Sequence, residues 1–195
     1  AVRGETHVAT EVPTPDESQG AKGKVHVIVT SNGNRYMNWQ TRLVYRSFQM
    51  VVAEDPSGPL HKFTRVLHRC SDDELTEAVP TFRVDSARPD CDVWCDYPVA
   101  DRAPALKSWA QSPDARQCEF VLVAETDYLF MRQMAPISIA RGQAMSFSFG
   151  YIIPTYPTIK DVMNRLYRGY GGANDKDLSQ ISGAGNGPLL IHPED

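Results

Sequence analysis

The spacing of hydrophobic positions changes several times along the chain, and each change marks an element. Val25 to Thr30 reads VHVIVT, β-branched and nearly continuous, which predicts a strand buried on both faces. SNGN, Ser31 to Asn34, follows as a turn. From about Met37 to Val52 the apolar residues Trp39, Leu43, Val44, Phe48, Val51 and Val52 recur at steps of three and four. That is the spacing of an amphipathic helix, and Asn34 or Asn38 could cap it. DPSGP ends it. KFTRVLH, Lys62 to His68, predicts a second strand and TFRVD, Thr81 to Asp85, a short third. Between them SDDEL, Ser71 to Leu75, suits a capped turn of helix. A loop rich in Asp, Pro and Cys runs to about Pro98. A short helix carrying Leu106 and Trp109 is expected from about Arg102 to Gln111. FVLVAETDYLF, Phe120 to Phe130, opens as a wholly apolar strand. Met145 to Ile153 alternates and carries aromatics, which predicts a further strand, and Thr158 to Tyr170 predicts a helix. From Gly171 the chain is glycine-rich and reads as loop, with one apolar run at Leu189 to Ile191. Strands alternating with helices predict an α/β domain with a mostly parallel sheet flanked by helices.

Residues 1–24 stand apart. They are rich in Thr, Glu, Pro, Gly and Ala, with almost no large apolar residue. Such a segment buries too little surface to offset its ordering entropy, so a flexible linker or stem is expected. The remaining residues, 25–195, suit one domain, and 195 residues are enough for a sizeable core. No internal repeat is visible.

Charge narrows the partners. With 20 Lys+Arg against 24 Asp+Glu the net charge is −4, which argues against a broad electrostatic footprint for nucleic acid or anionic lipid. No apolar run approaches the roughly 18–20 residues of a membrane span. No basic segment followed by an apolar stretch opens the chain, so no signal peptide is visible. The first residue is Ala1, which reads as a processed or trimmed chain. The four cysteines, Cys70, Cys91, Cys95 and Cys118, include no CxxC pair. Cys91 and Cys95, four apart, could close a small disulfide; four free, partly buried thiols are the alternative.

The candidate chemistry sits where the apolar run of Phe120 to Ala124 meets Glu125 and Asp127. In a strand, residues i and i+2 point to the same side, so the two carboxylates converge if the strand persists that far. Ligands of open α/β sheets sit just outside the carboxyl ends of central strands. Two hard oxygen ligands there suit Mg²⁺ or Mn²⁺, with phosphate completing the coordination. A solvated strand end or a helix N-cap is the alternative. The histidines are weaker candidates. His26, inside an apolar strand, reads as a satisfied core residue, and His61, His68 and His192 read as structural or exposed. No G-x-S-x-G, Walker loop or G-x-G-x-x-G occurs. GGAND and GAGNG read as loop-forming glycine, since neither follows a strand and opens a helix.

Several blocks, taken together and in order from about Val25 to Asp195, resemble the plant-type hydroxyproline O-arabinosyltransferases. VHVIVT with NWQTRLVYRSF resembles that family's opening strand and helix. KFTRVLHRCSDDELTEAVPTFRVD resembles its second block. FVLVAETDYLFMRQMAP resembles its metal-site strand, SFSFGYIIP its F-P-F-F-Y-I segment, and GAGNGPLLIHPED its I-G-N-S-P segment. The serine galactosyltransferases of cell-wall glycoproteins are a related possibility.

The resemblance implies a glycosyltransferase of the GT-A type, with a Rossmann-like sheet, a UDP-sugar donor, and Mn²⁺ or Mg²⁺ bridging the diphosphate to the acidic motif. It implies transfer of arabinose from UDP-arabinofuranose to hydroxyproline of secreted peptides and wall glycoproteins, by a type II membrane protein of the Golgi. By the same analogy Asp127 is the better metal ligand and Glu125 a supporting one. Thr30, Ser31 and Asn32 would lie near the nucleotide, and Asn186 where an acceptor or sugar contact sits. The sequence departs from the family pattern in two respects. Tyr128 replaces a histidine after the aspartate and cannot serve as an imidazole ligand. Family members also continue past the G-N-x-P segment, so 195 residues read as an N-terminal portion. These departures leave a second function open: a non-catalytic domain that kept the fold as a binding or structural component.

Overall fold

The computed structural model describes residues 21–93, 96–97, 99–166, 178–181 and 183–195, without the side chains of Asn164, Ala184 and Asn186. Its elements are β1 (Ala21–Ser31), α1 (Arg35–Glu54), β2 (Leu60–His68), β3 (Thr81–Val84), α2 (Arg102–Ala110), β4 (Cys118–Ala124), β5 (Met145–Ser148), α3 (Pro157–Leu166) and β6 (Ala184–Ile191). The strands form one sheet in the order β3-β2-β1-β4-β6-β5. β1 runs parallel to both β2 and β4, and β2 runs parallel to β3. β6 joins β4 and β5 antiparallel. The result is the α/β, mostly parallel sheet expected, completed by an antiparallel pair.

Alternation along β1 divides the core. Val25, Val27 and Val29 face Val44, Phe48 and Val51 of α1, together with Phe63, Phe120 and Leu122. Ile28 faces the other way, against Ala105 and Trp109 of α2 with Val66, Val121 and Val123. Both faces of the central strands are thus covered, which is why β-branched residues run nearly continuously through VHVIVT and why His26 and Thr30 are buried with them. Each fully buried valine of β1 contributes about 1.5–3 kcal/mol. Among the described residues no helix is long and apolar enough to cross a membrane.

The structure departs from the sequence reading in several places. β1 begins at Ala21, four residues early, because backbone pairing extends it: Ala21 N donates to Gln117 O at 3.0 Å and Ala21 pairs with Cys118. Its exposed first residues gave no pattern to read. Residues 1–20 of the expected linker lie outside the described residues. In α1, capped by Asn34 through a 2.8 Å bond from Met37 N, Trp39 and Leu43 remain 59% and 45% exposed. The buried face there is polar instead. Asn38 Oδ1 accepts from Arg65 Nη1 at 3.3 Å, and Gln40 Oε1 accepts from Thr126 Oγ1 at 2.8 Å. SDDEL is a turn rather than a helix, organised by Asp73, whose carboxylate accepts from Leu75 N at 3.0 Å. β5 covers only the first four residues of the expected strand. The glycine-rich stretch at 184–187, read as loop, is part of β6. A Cβ on Gly185 would fall 2.2 Å from the Phe149 ring, so glycine marks close packing there rather than a loop. GGAND lies outside the described residues, as does the end of the expected helix beyond Leu166.

Three further features bear on stability. Arg65, wholly buried, donates from Nη1 and Nη2 to the two oxygens of Asp73 at 2.8 and 2.7 Å. Burial raises the Asp73 pKa, but Arg65 and Leu75 N more than offset it, leaving it at about 2. Cys91 is disulfide-bonded, which excludes four free thiols; Cys70 and Cys118 are free, and Cys95 lies outside the described residues. His26 is buried as expected, yet only half satisfied: Nε2 meets Thr64 Oγ1 at 2.8 Å, while Nδ1 has no partner.

Candidate functional site

The chain leaves β1 through α1 on one face of the sheet and enters β4 from α2 on the other. The strand order therefore reverses between β1 and β4, the position where open α/β sheets leave a crevice at their carboxyl ends. A cavity of about 350 Å³ lies there. Thr30 and Asn32 line it from the end of β1, His68 from the end of β2, Arg102 from the start of α2, and Glu125 and Asp127 from just beyond β4. Of the residues expected at the nucleotide, Thr30 and Asn32 thus reach the cavity. Ser31 does not line it; it is fully buried, and its Oγ accepts from Gly33 N at 3.1 Å to close the turn. Gly33 itself holds φ +73°, and a Cβ there would fall 2.8 Å from Asp73 Oδ2, so the turn requires glycine on both counts.

The two carboxylates share the cavity, but strand alternation does not place them. β4 ends at Ala124, and a turn follows in which Tyr128 N donates to Glu125 O at 3.3 Å. Thr126, between them, is buried against Gln40. Glu125 accepts from Arg102 Nη1 at 2.7 Å. Asp127 is exposed, and also lines a neighbouring apolar groove with Tyr128, Phe130, Phe147 and Pro188. Among the described residues no group of three His, Cys, Asp or Glu side chains gathers to hold a metal ion. An ion here would rest on Asp127 and on oxygens of the ligand, a donor set that nucleotide-bound Mg²⁺ commonly accepts.

Two lining residues, Arg102 and His68, escaped the sequence reading. Arg102 is one of 20 Lys and Arg, with no motif around it. His68 looked structural or exposed, and is buried in the cavity wall. Burial, with Arg102 nearby, holds its pKa below the ordinary imidazole value against the pull of Asp101. His61 is exposed, and His192 is buried with Nε2 2.9 Å from Ile139 O.

A family profile described as "Hydroxyproline O-arabinosyltransferase family N-terminal domain" matches residues 25–195, every block discussed above. The chain belongs to the hydroxyproline O-arabinosyltransferase family. It is 30% identical over 176 residues to Hydroxyproline O-arabinosyltransferase NOD3 of Pisum sativum, covering 90% of this chain and 49% of that protein. It is 28% identical over 178 residues to Hydroxyproline O-arabinosyltransferase 3 of Arabidopsis thaliana, covering 91% and 47%. A peptidyl serine alpha-galactosyltransferase of Arabidopsis thaliana is 27% identical over 152 residues, 73% of this chain and 18% of that protein. The chain spans about half the length of the curated arabinosyltransferases it matches. No solved structure matches it.

Within the family frame, two motif positions take on definite surroundings. Tyr128, where the family pattern has histidine, donates its hydroxyl to Gly187 O at 2.8 Å. Burial, then the nearby Glu125 and Asp127 charges, raise its pKa, which keeps the phenol protonated. Its role is to tie the acidic turn to β6. Asn186 lies on β6, and its side chain is outside the described atoms. Its neighbour Gly187 backs directly on Glu125: a Cβ there would stand 3.0 Å from Glu125 Oε1.

Proposed function

We propose that residues 25–195 form the nucleotide-sugar-binding part of a GT-A-type glycosyltransferase that moves arabinose from UDP-arabinofuranose to hydroxyproline of secreted or cell-wall glycoproteins. The observation that carries this reading is the cavity at the β1–β4 reversal, lined by Thr30, Asn32, Glu125 and Asp127 within the matched family region. Thr30 and Asn32 supply short polar side chains at the end of β1, where a nucleoside packs against backbone. Asp127 would hold a divalent ion, Mn²⁺ or Mg²⁺, which when bound to the diphosphate supplies Lewis-acid stabilisation of the departing UDP. The apolar groove that shares Asp127 opens beside this position and offers room for the acceptor. The same reading places the protein in the Golgi lumen as a type II membrane protein.

The test is a thermal-shift titration of this chain with UDP, with and without Mn²⁺, alongside Asp127→Ala. A ligand that binds only the folded state raises stability by about 2.7 kcal/mol at a hundred times its Kd. The expected result is a Mn²⁺-dependent shift that Asp127→Ala abolishes. Absence of any shift with wild type defeats the reading. A non-catalytic binding component is the second reading, favoured by the commitment of the Tyr128 hydroxyl to Gly187 O where the family pattern has an imidazole. Multiple-turnover sugar transfer to a hydroxyproline peptide by this chain would exclude it.

A further inference from the structure

Arg102 is the one cationic side chain in the wall of the cavity among the described residues. Its Nη1 is fixed on Glu125 at 2.7 Å. Its Nη2 is shielded from water and has no hydrogen-bond partner among the described residues. A charged donor in that state is unfavourable unless something accepts from it. Asp101, its neighbour in the chain, is already engaged: it accepts from the Ser86 hydroxyl and from Arg88 N. Glu125 is engaged at Nη1 and leaves Nη2 unserved. Beyond Glu125, the one other carboxylate of the wall among the described residues is Asp127, and the remaining polar groups there, such as Thr30, Asn32 and His68, carry no negative charge.

We propose that Arg102 is the diphosphate-binding residue of this site, and that Glu125 is its anchor rather than a metal ligand. A guanidinium presents a planar fork of donors, so one edge can be held by a carboxylate while another receives a phosphate oxygen. The acidic pair then divides its work. Glu125 fixes the cation in the wall of the cavity, and Asp127 stays exposed for the ion. A diphosphate between them would meet a positive charge at each end. This inference rests on the nucleotide reading above.

The experiment is calorimetric titration of this chain with uridine, UMP and UDP, with Mn²⁺ or with EDTA. The variants are Arg102→Gln, Glu125→Gln and the double substitution R102Q/E125Q, which leaves no uncompensated charge and guards against loss of the fold. Wild type should prefer UDP to uridine. Arg102→Gln and the double variant should lose UDP affinity by about tenfold or more, with uridine affinity unchanged. Glu125→Gln should weaken UDP while the Mn²⁺ dependence survives. Parallel loss of uridine and UDP would make Arg102 a structural prop and overturn the proposal. UDP affinity untouched by Arg102→Gln, or Mn²⁺ dependence abolished by Glu125→Gln, would overturn it alone. Wild type that binds none of the three ligands overturns both this proposal and the nucleotide reading.

Discussion

One buried imidazole sets a pH window in which the domain should lose stability. His26 is wholly buried in β1, its ring edge-on to Trp109 at 5.2 Å. Thr64 Oγ1 donates its single proton to Asp114 Oδ2 at 3.0 Å, so the proton between Thr64 and His26 belongs to Nε2. Nδ1 is then a bare acceptor with no partner. Charging the ring would create a buried N–H with nothing to receive it. Burial therefore lowers the His26 pKa from 6.5 to about 4, against the attraction of Asp114. In that interval the unfolded chain binds a proton that the folded chain refuses, so stability falls as pH falls. At about 1.4 kcal/mol per pH unit, the full loss is about 3 kcal/mol, absent above pH 6.5 and complete below pH 4. His68, also lowered, acts in the same direction. Asp73 and Asp114, both held below 3.8, act only in stronger acid. The assay is urea denaturation of wild type and His26→Gln at several pH values from about 7.5 down to about 4. Glutamine can still donate to Thr64 and does not titrate. Wild type should lose about 3 kcal/mol more than the variant across the window. Equal pH slopes for the two proteins would refute the assignment of a neutral, half-satisfied His26.

Two further outcomes follow from the described contacts. Asp73→Asn leaves the wholly buried Arg65 guanidinium without its counter-charge and should cost about 3–5 kcal/mol, read from the shift in denaturation midpoint; removing both charges with R65M/D73N should recover part of it. Thiol labelling of the folded protein should modify the exposed Cys70 and spare Cys118, whose thiol burial pushes up to about 11; equal labelling rates before unfolding would contradict its burial.

Elements whose hydrophobic spacing is decided locally were legible. VHVIVT and FVLVA read as central strands, because VHVIVT is nearly continuous in β-branched residues and FVLVA is wholly apolar. The helix from Arg35 declared itself through Val44, Phe48 and Val51. The same spacing misassigned Trp39 and Leu43, since α1 turns polar residues inward where Arg65 and Thr126 are buried to meet them. β6 was hidden for a different reason. Glycine is the signature of a loop until a neighbour occupies the space of the missing Cβ, as Phe149 does at Gly185 and Glu125 does at Gly187. Thr30, Asn32, Glu125 and Asp127, expected from strand ends and from the family resemblance, line one cavity. Ser31, between two lining residues, is buried outside that lining, and Arg102 and His68 carried no local mark.

By itself, then, the sequence determined the class of fold, the central strands, the main helix, the strand ends where polar residues gather, and family membership through the order of its blocks. These are properties of short stretches, set by periodicity and by which faces must be buried. Tertiary structure alone decided the partners: Glu125 with Arg102, Arg65 with Asp73, His26 with Thr64, and Tyr128 with Gly187. Those pairs join residues that strand pairing and the turns and helix beside it bring together, so a carboxylate's neighbour, and with it its role, depends on contacts that no local pattern encodes.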